Sequence, residues 1–157
     1  MIHIVKSPTA DSRACDYTQV SKEQLLASSE KHIEDVRKAL EHFQVGLDTA
    51  GVYHDFDKLG AIDSFHANFR TGFVERDWLD RHVQINRHHL SDPNGVPQNV
   101  NLIDVLEMVA DCVMAGMART GTVFPLVLPP ELLQRALQNT VEQLQAHVVV
   151  HESDPKA

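Results

Sequence analysis

Little in this sequence suits cysteine chemistry: among 157 residues only Cys15 and Cys112 carry thiols, far apart and in no CxxC pair. That excludes a disulfide framework and a cysteine-rich zinc module, and with no secretory leader it points to a reduced, cytoplasmic protein. Positive charge is scarce too. Fourteen Lys and Arg stand against 22 Asp and Glu, a net charge of −8, so the overall field will not draw in nucleic acid, and no basic patch with interleaved aromatics offsets it. Any phosphate must be met by a local cation or a metal. No apolar run approaches the roughly 20 residues of a membrane helix. Repeats, low-complexity tracts and linkers are missing as well, so residues 1–157 read as one domain, long enough for a core of its own.

The pattern that remains is helical. Ser21, with Gln24 three residues later, is a capping box, and Leu25, Ser29, His32, Ile33, Val36, Leu40, Phe43 and Leu47 then share one face at three- and four-residue spacing. Gly51 is the expected terminator. A short helix over Ile62, Phe65 and Phe69 follows, then one from about Val74 to His89, and the turn chemistry of Ser91–Pro97 makes a loop. Asn101 caps a strongly apolar helix to about Ala118, with Asp104 at its third position, and Pro130 opens a last one. Met1–Val5 and the β-branched stretch after His147 read as a small terminal ribbon. The expected fold is an all-α bundle of five to six helices with that ribbon.

Histidine stands out: ten in all, seven of them between His32 and His89. His32 is in phase with the apolar face of the first long helix and is expected to point inward. Tyr53-His54-Asp55-Phe56-Asp57-Lys58 offers adjacent imidazole and carboxylate, with Lys58 about one helical turn on. His82 follows, then Arg87-His88-His89; a helix over both would put His82 and His89 two turns apart on one face. In the helix after Asn101, Asp104, Glu107 and Asp111 form one stripe, which is either its solvent face or a set of carboxylates needing a cation. Asp57 reads as exposed, and Trp78 and Tyr53 as core aromatics or stacking surfaces for a base.

The order His32, His54-Asp55-x-x-Lys58, His82, His88-His89, Asp111 resembles the HD-domain superfamily of metal-dependent phosphohydrolases, over roughly His32 to Gly116. His54-Asp55 matches the name-giving pair, His32 the leading histidine and Asp111 the closing aspartate. The HD-x-x-K form, the later His and the His-His pair are similar to the two-metal HD-GYP branch. Leu90, Val96 and the short His82–His88 spacing depart from that branch, so its cyclic dinucleotide substrate is not carried over. The chain also resembles small HD-like proteins of tailed phages, which would place it in a host cytoplasm.

The resemblance implies one ion (Mn, Fe, Mg, Ni or Co) held by His32, His54, Asp55 and Asp111. A second would be shared through Asp55 with His82 and either His88 or His89. Glu107 and Asp104 would orient ligating histidines or replace Asp111. A metal-bound water would attack phosphorus, with Asp55 and Lys58 in catalytic roles and Lys58, Arg87 and Arg70 meeting the phosphate. The expected activity is hydrolysis of a nucleotide or nucleotide-like phosphate ester. Cyclic (di)nucleotide cleavage and a non-catalytic metal- or nucleotide-binding module are the alternatives, and a plain helical interaction protein is a third class. The apolar tails and last helix would serve a homodimer as well as a core.

Overall fold

Ser21 and Gln24 cap each other: the Ser21 hydroxyl accepts the Gln24 N–H at 3.2 Å, and the Gln24 side-chain oxygen accepts the Ser21 N–H at 2.9 Å. Two donors that a helix start leaves orphaned are thereby satisfied. From there α1 runs from Lys22 to Tyr53 in the computed structural model, which describes residues 1–153. Gly51 does not end it. A glycine costs a helix only about 1 kcal/mol, and the stop comes instead at Asp55, whose φ of 52° and ψ of 26° turn the chain out of the right-handed helix.

The helices α2 (Phe56–Gly60), α3 (Ile62–Arg70), α4 (Asp77–Ile85), α5 (Leu102–Thr120) and α6 (Pro130–Ala146) follow. With β1 (Ile2–Val5) and β2 (Val148–His151) the architecture is all-α with a small terminal strand pair, as expected. The helix expected from Val74 to His89 is shorter. At its end both the backbone N–H and the side-chain amide of Asn86 donate to the His82 carbonyl at 3.0 Å, and Asn86 itself is extended. A side chain that bonds its own backbone competes with helix continuation. At Asn101 the capping box with Asp104 is complete in both directions.

Contacts gather the chain into two compact units: Met1–Gln44 together with the segment from Gln143 onward, and Val45–Glu142. In the first, β1 and β2 pair in parallel from Ile2↔Val148 to Val5↔His151. The Thr9 and Ser28 hydroxyls bond each other, and the His42 ring lies 4.6 Å from that of His147. No apolar side chain among the described residues of this unit is buried; Ser28 is its only buried residue.

Among the described residues the second unit holds every buried apolar side chain. Leu90, Val100, Met108, Leu132 and Ala136 form a cluster against which Leu102, Val105 and Cys112 pack. The Leu102 N–H donates to the Thr140 hydroxyl at 2.9 Å, tying the start of α5 to α6. A second, aromatic group joins α3 to α4, with Phe65 4.5 Å from Trp78. Between these two groups runs the segment from Asn86 to Leu90, bearing two histidines.

Candidate metal centre

The positive φ at Asp55 is the local feature that builds the site. A non-glycine residue in the left-handed region costs roughly 1–2 kcal/mol, and Asp and Asn tolerate it best. Strain of this kind in a structure is a reason to look for function. Here it follows the end of α1 at Tyr53 and aims the Asp55 carboxylate into a cluster of imidazoles.

Two groups of three ligating side chains share that carboxylate: His54, Asp55 and His88 in one, Asp55, His82 and His89 in the other. In the first, His54 Nε2 stands 3.5 Å from Asp55 Oδ2, and His88 Nε2 stands 3.5 Å from Asp55 Oδ1. In the second, His82 Nε2 is 3.4 Å from Asp55 Oδ1 and 2.8 Å from His89 Nε2. Ligands bound at about 2.0–2.2 Å to one ion lie roughly 3–4 Å apart, so the three spacings to Asp55 suit a cation, while His82 and His89 stand at hydrogen-bond distance from each other.

Three of the four histidines are anchored from behind. One oxygen of Glu107, Oε1, lies 3.0 Å from His54 Nδ1 and 2.9 Å from His88 Nδ1. The Asp57 carboxylate lies 2.9 Å from His82 Nδ1 and accepts the Asn86 amide at 2.9 Å. A carboxylate at Nδ1 draws the ring proton there and leaves Nε2 bare, the arrangement that metal-ligating histidines use. Trp78 stacks on His82 with ring centres 4.6 Å apart and fixes its plane.

Two atoms at the centre are buried without a hydrogen bond, Asp55 Oδ1 and His88 Nε2. An orphaned buried acceptor is costly, and two such acceptors facing each other repel unless something positive lies between. The donor set therefore fits a divalent ion, and the buried His/Asp groups could hold one.

Charge agrees with this. Burial pushes the Asp55 carboxyl up, but the Lys58 hydrogen bond and charge, helped by His54 and His82, outweigh it and leave it below the ordinary value. Lys58 binds Asp55 Oδ2 directly. Burial above all, then the charges of His88 and His82, lowers His89 to about 4. Its ring is neutral near pH 7 and offers a lone pair.

Asp111 stands at the rim, Oδ1 3.7 Å from His54 Nε2. His88 and His89 divide between the two groups. His32 is not brought to the cluster. It lies about six turns before Tyr53 in the same unbroken helix, exposed rather than inward-facing. The Arg87 guanidinium is taken by a two-point pair with Asp104, Nε to Oδ1 at 2.7 Å and Nη2 to Oδ2 at 2.8 Å, and by Asn99. Asp104 thus caps α5 and holds Arg87 rather than serving the histidines. Arg70 is exposed at the end of α3. Trp78 is core, whereas Tyr53 is 63% exposed.

Asp57 overturns its expected exposure, and Asn86 drew no notice as sequence. The signal for Asn86 was its place four residues after His82, one helical turn on. Asp57 had none, because its partner comes from α4. Arg76 was missed too. It lines a cleft of about 380 Å³ with His88, His89 and Asp111. A second cleft, of about 330 Å³, borders His54, Glu107 and Asp111 and is otherwise apolar, with Leu47, Leu106 and Met114.

Gly95 supports the site from outside. A Cβ there would sit 2.5 Å from the His89 carbonyl oxygen and 2.7 Å from Val83 Cγ1. The loop closes on His89 only because that side chain is absent.

Compared with protein-family models, curated proteins and solved structures, the chain matches none. No described helix is long and apolar enough to cross a membrane.

Proposed function

We propose that this protein is a metal-dependent phosphohydrolase of HD-domain type, acting on a nucleotide or nucleotide-like phosphate ester with one or two divalent ions. The observation that carries it is the convergence of four imidazoles on Asp55, with carboxylates behind three of them and two orphaned acceptors in the middle. His54, Asp55 and His88 would hold one ion, with Asp111 beside them; Asp55, His82 and His89 would hold a second. Mixed nitrogen and oxygen donors suit Mn, Fe, Ni or Co, and Mg less well. Such ions supply a water acidic enough to ionise near neutral pH and screen the phosphoryl oxygens.

The chain's own residues do the remainder. Glu107 and Asp57 keep the ring protons on Nδ1. Lys58 and Arg76 provide the local positive charge that an acidic protein needs to admit phosphate. Arg76, paired with Asp80 at 2.9 Å and 3.5 Å from Asp92, lines the cleft beside His88 and His89 and would take the part expected of Arg87.

The test is hydrolysis of a panel of nucleoside mono- and triphosphates and cyclic dinucleotides with Mn²⁺, combined with elemental analysis of purified protein. Product release that EDTA abolishes supports the reading. Retained metal with every substrate intact would make the site a binding module. Protein free of metal and unable to take it up would leave the histidines structural.

A further inference from the structure

We infer that α1 is a self-association helix: its exposed apolar stripe pairs antiparallel with α1 of a second copy of this chain. It rests on no part of the metal chemistry, although Leu47 and Ala50 at the end of the stripe also line the cleft beside His54 and Glu107.

The stripe repeats every seven residues with alternating steps of three and four. Leu26, Ile33, Leu40 and Leu47 fall on one register position, and Ser29, Val36, Phe43 and Ala50 on the other. Four heptads of this kind are the pattern of a helix that packs on another helix along its length, not that of a helix half-sunk in a globular core. Yet one edge of the stripe is uncovered, while Ser29, Phe43 and Ala50 on the other register position are half-buried. Leu26 is 57% exposed, Ile33 58% and Leu40 60%, with Val36 and Leu47 also exposed. The remaining covered positions of α1 lie on the other face. Ser28 is buried, and Lys31, Asp35, Lys38, Ala39 and His42 are half-buried. A helix that turns its small and charged residues to its own unit and its leucines outward is laid out for an external partner.

Charge selects the partner and its direction. Of the residues flanking the stripe, Glu30 and Arg37 lie on the same side, one heptad apart. In a parallel pair the flanking contacts set Leu25 against Glu30 and His32 against Arg37, and none is attractive. In an antiparallel pair with its two-fold axis between Ile33 and Val36, Glu30 of each copy meets Arg37 of the other. The same register sets Leu26 against Phe43 and Ile33 against Val36, each contact made twice, as an isologous interface requires. The polar Ser29, opposite Leu40, helps to fix that register. A second copy is thus complementary to this face in shape period and in charge.

The experiment is light scattering after gel filtration, together with sedimentation equilibrium of the full chain. The expected species has twice the 17.6 kDa chain mass. Leu40→Glu, at a position where the folded chain buries little, should weaken association by on the order of a hundredfold while helicity by circular dichroism is kept. Glu30→Arg or Arg37→Glu alone should weaken it about threefold to tenfold, and the two together should restore it. A monomer at micromolar concentration overturns the inference, as does a dimer indifferent to Leu40→Glu. A dimer sensitive to Leu40→Glu but blind to the charge reversals overturns the antiparallel register.

Discussion

The two units of this chain solve opposite problems. Val45–Glu142 buries Trp78, Val83, Leu90, Val100, Met108, Leu132 and Ala136, and with them six polar residues, Asn68, His82, Asn86, His88, Asp104 and Thr140, that only a rigid frame could hold in place. The unit formed by the two ends of the chain buries no described apolar side chain at all. Its order rests on a strand pair, helix hydrogen bonds and a few polar contacts. Burial of apolar surface is the main favourable contribution to folding, at about 25 cal/mol per Å², so the second unit has the means to hold a strained Asp55 and crowded histidines. The first does not, and its outward leucines show where further burial is to be had.

The contrast is broken most severely at its hinge residue. Asp55→Ala removes the carboxylate common to both ligand groups, so metal retention by elemental analysis and phosphate-ester hydrolysis should both fall to background, with helical content nearly intact. Unchanged metal content would refute the shared-ligand geometry. Glu107→Ala frees the Nδ1 of both His54 and His88 and should weaken metal binding by roughly 10–100-fold. Asp57→Ala frees only His82 and should cost less. Calorimetric titration with Mn²⁺ compares them, and equal losses would argue against the double role of Glu107 Oε1.

Gly95→Ala sharpens the comparison without touching a ligand. Its Cβ forces the loop off His89 and should destabilise the fold by about 1–3 kcal/mol, seen as a lower thermal midpoint with weaker metal binding. A midpoint at the wild-type value would mean the loop gives way freely. The smallest effect belongs to the other unit. Ser21→Ala removes one half of the α1 capping box and should cost about 1 kcal/mol in a urea melt while leaving metal affinity as it was. A loss of metal affinity there would show that the units are not independent in this respect.

Much of this was readable from sequence because it is local. Capping boxes at Ser21 and Asn101 and the proline opening α6 each depend on a few neighbouring residues. The candidate ligands His54, Asp55, His82, His88 and His89 stood out by type. The meeting of His82 and His89 was expected for a local reason that does not hold, a shared helix. The helix ends at Ile85, and the approach is made by the turn after it. His32 misled because its phase in the stripe implied burial, and the stripe faces out. Arg87 misled because its partner, Asp104, is 17 residues away.

By composition and spacing alone the chain is committed to helices, to an acidic surface without a basic face, and to imidazoles beside an Asp at the end of a long helix. Periodicity and caps act over one or two turns, and nothing distant changes them. Tertiary structure decided which of these side chains share a centre, which carboxylate stands behind which ring, and which face of α1 is left bare. Those are contacts between residues far apart in the chain, and their energies exist only once the backbone has brought the partners within a few ångströms.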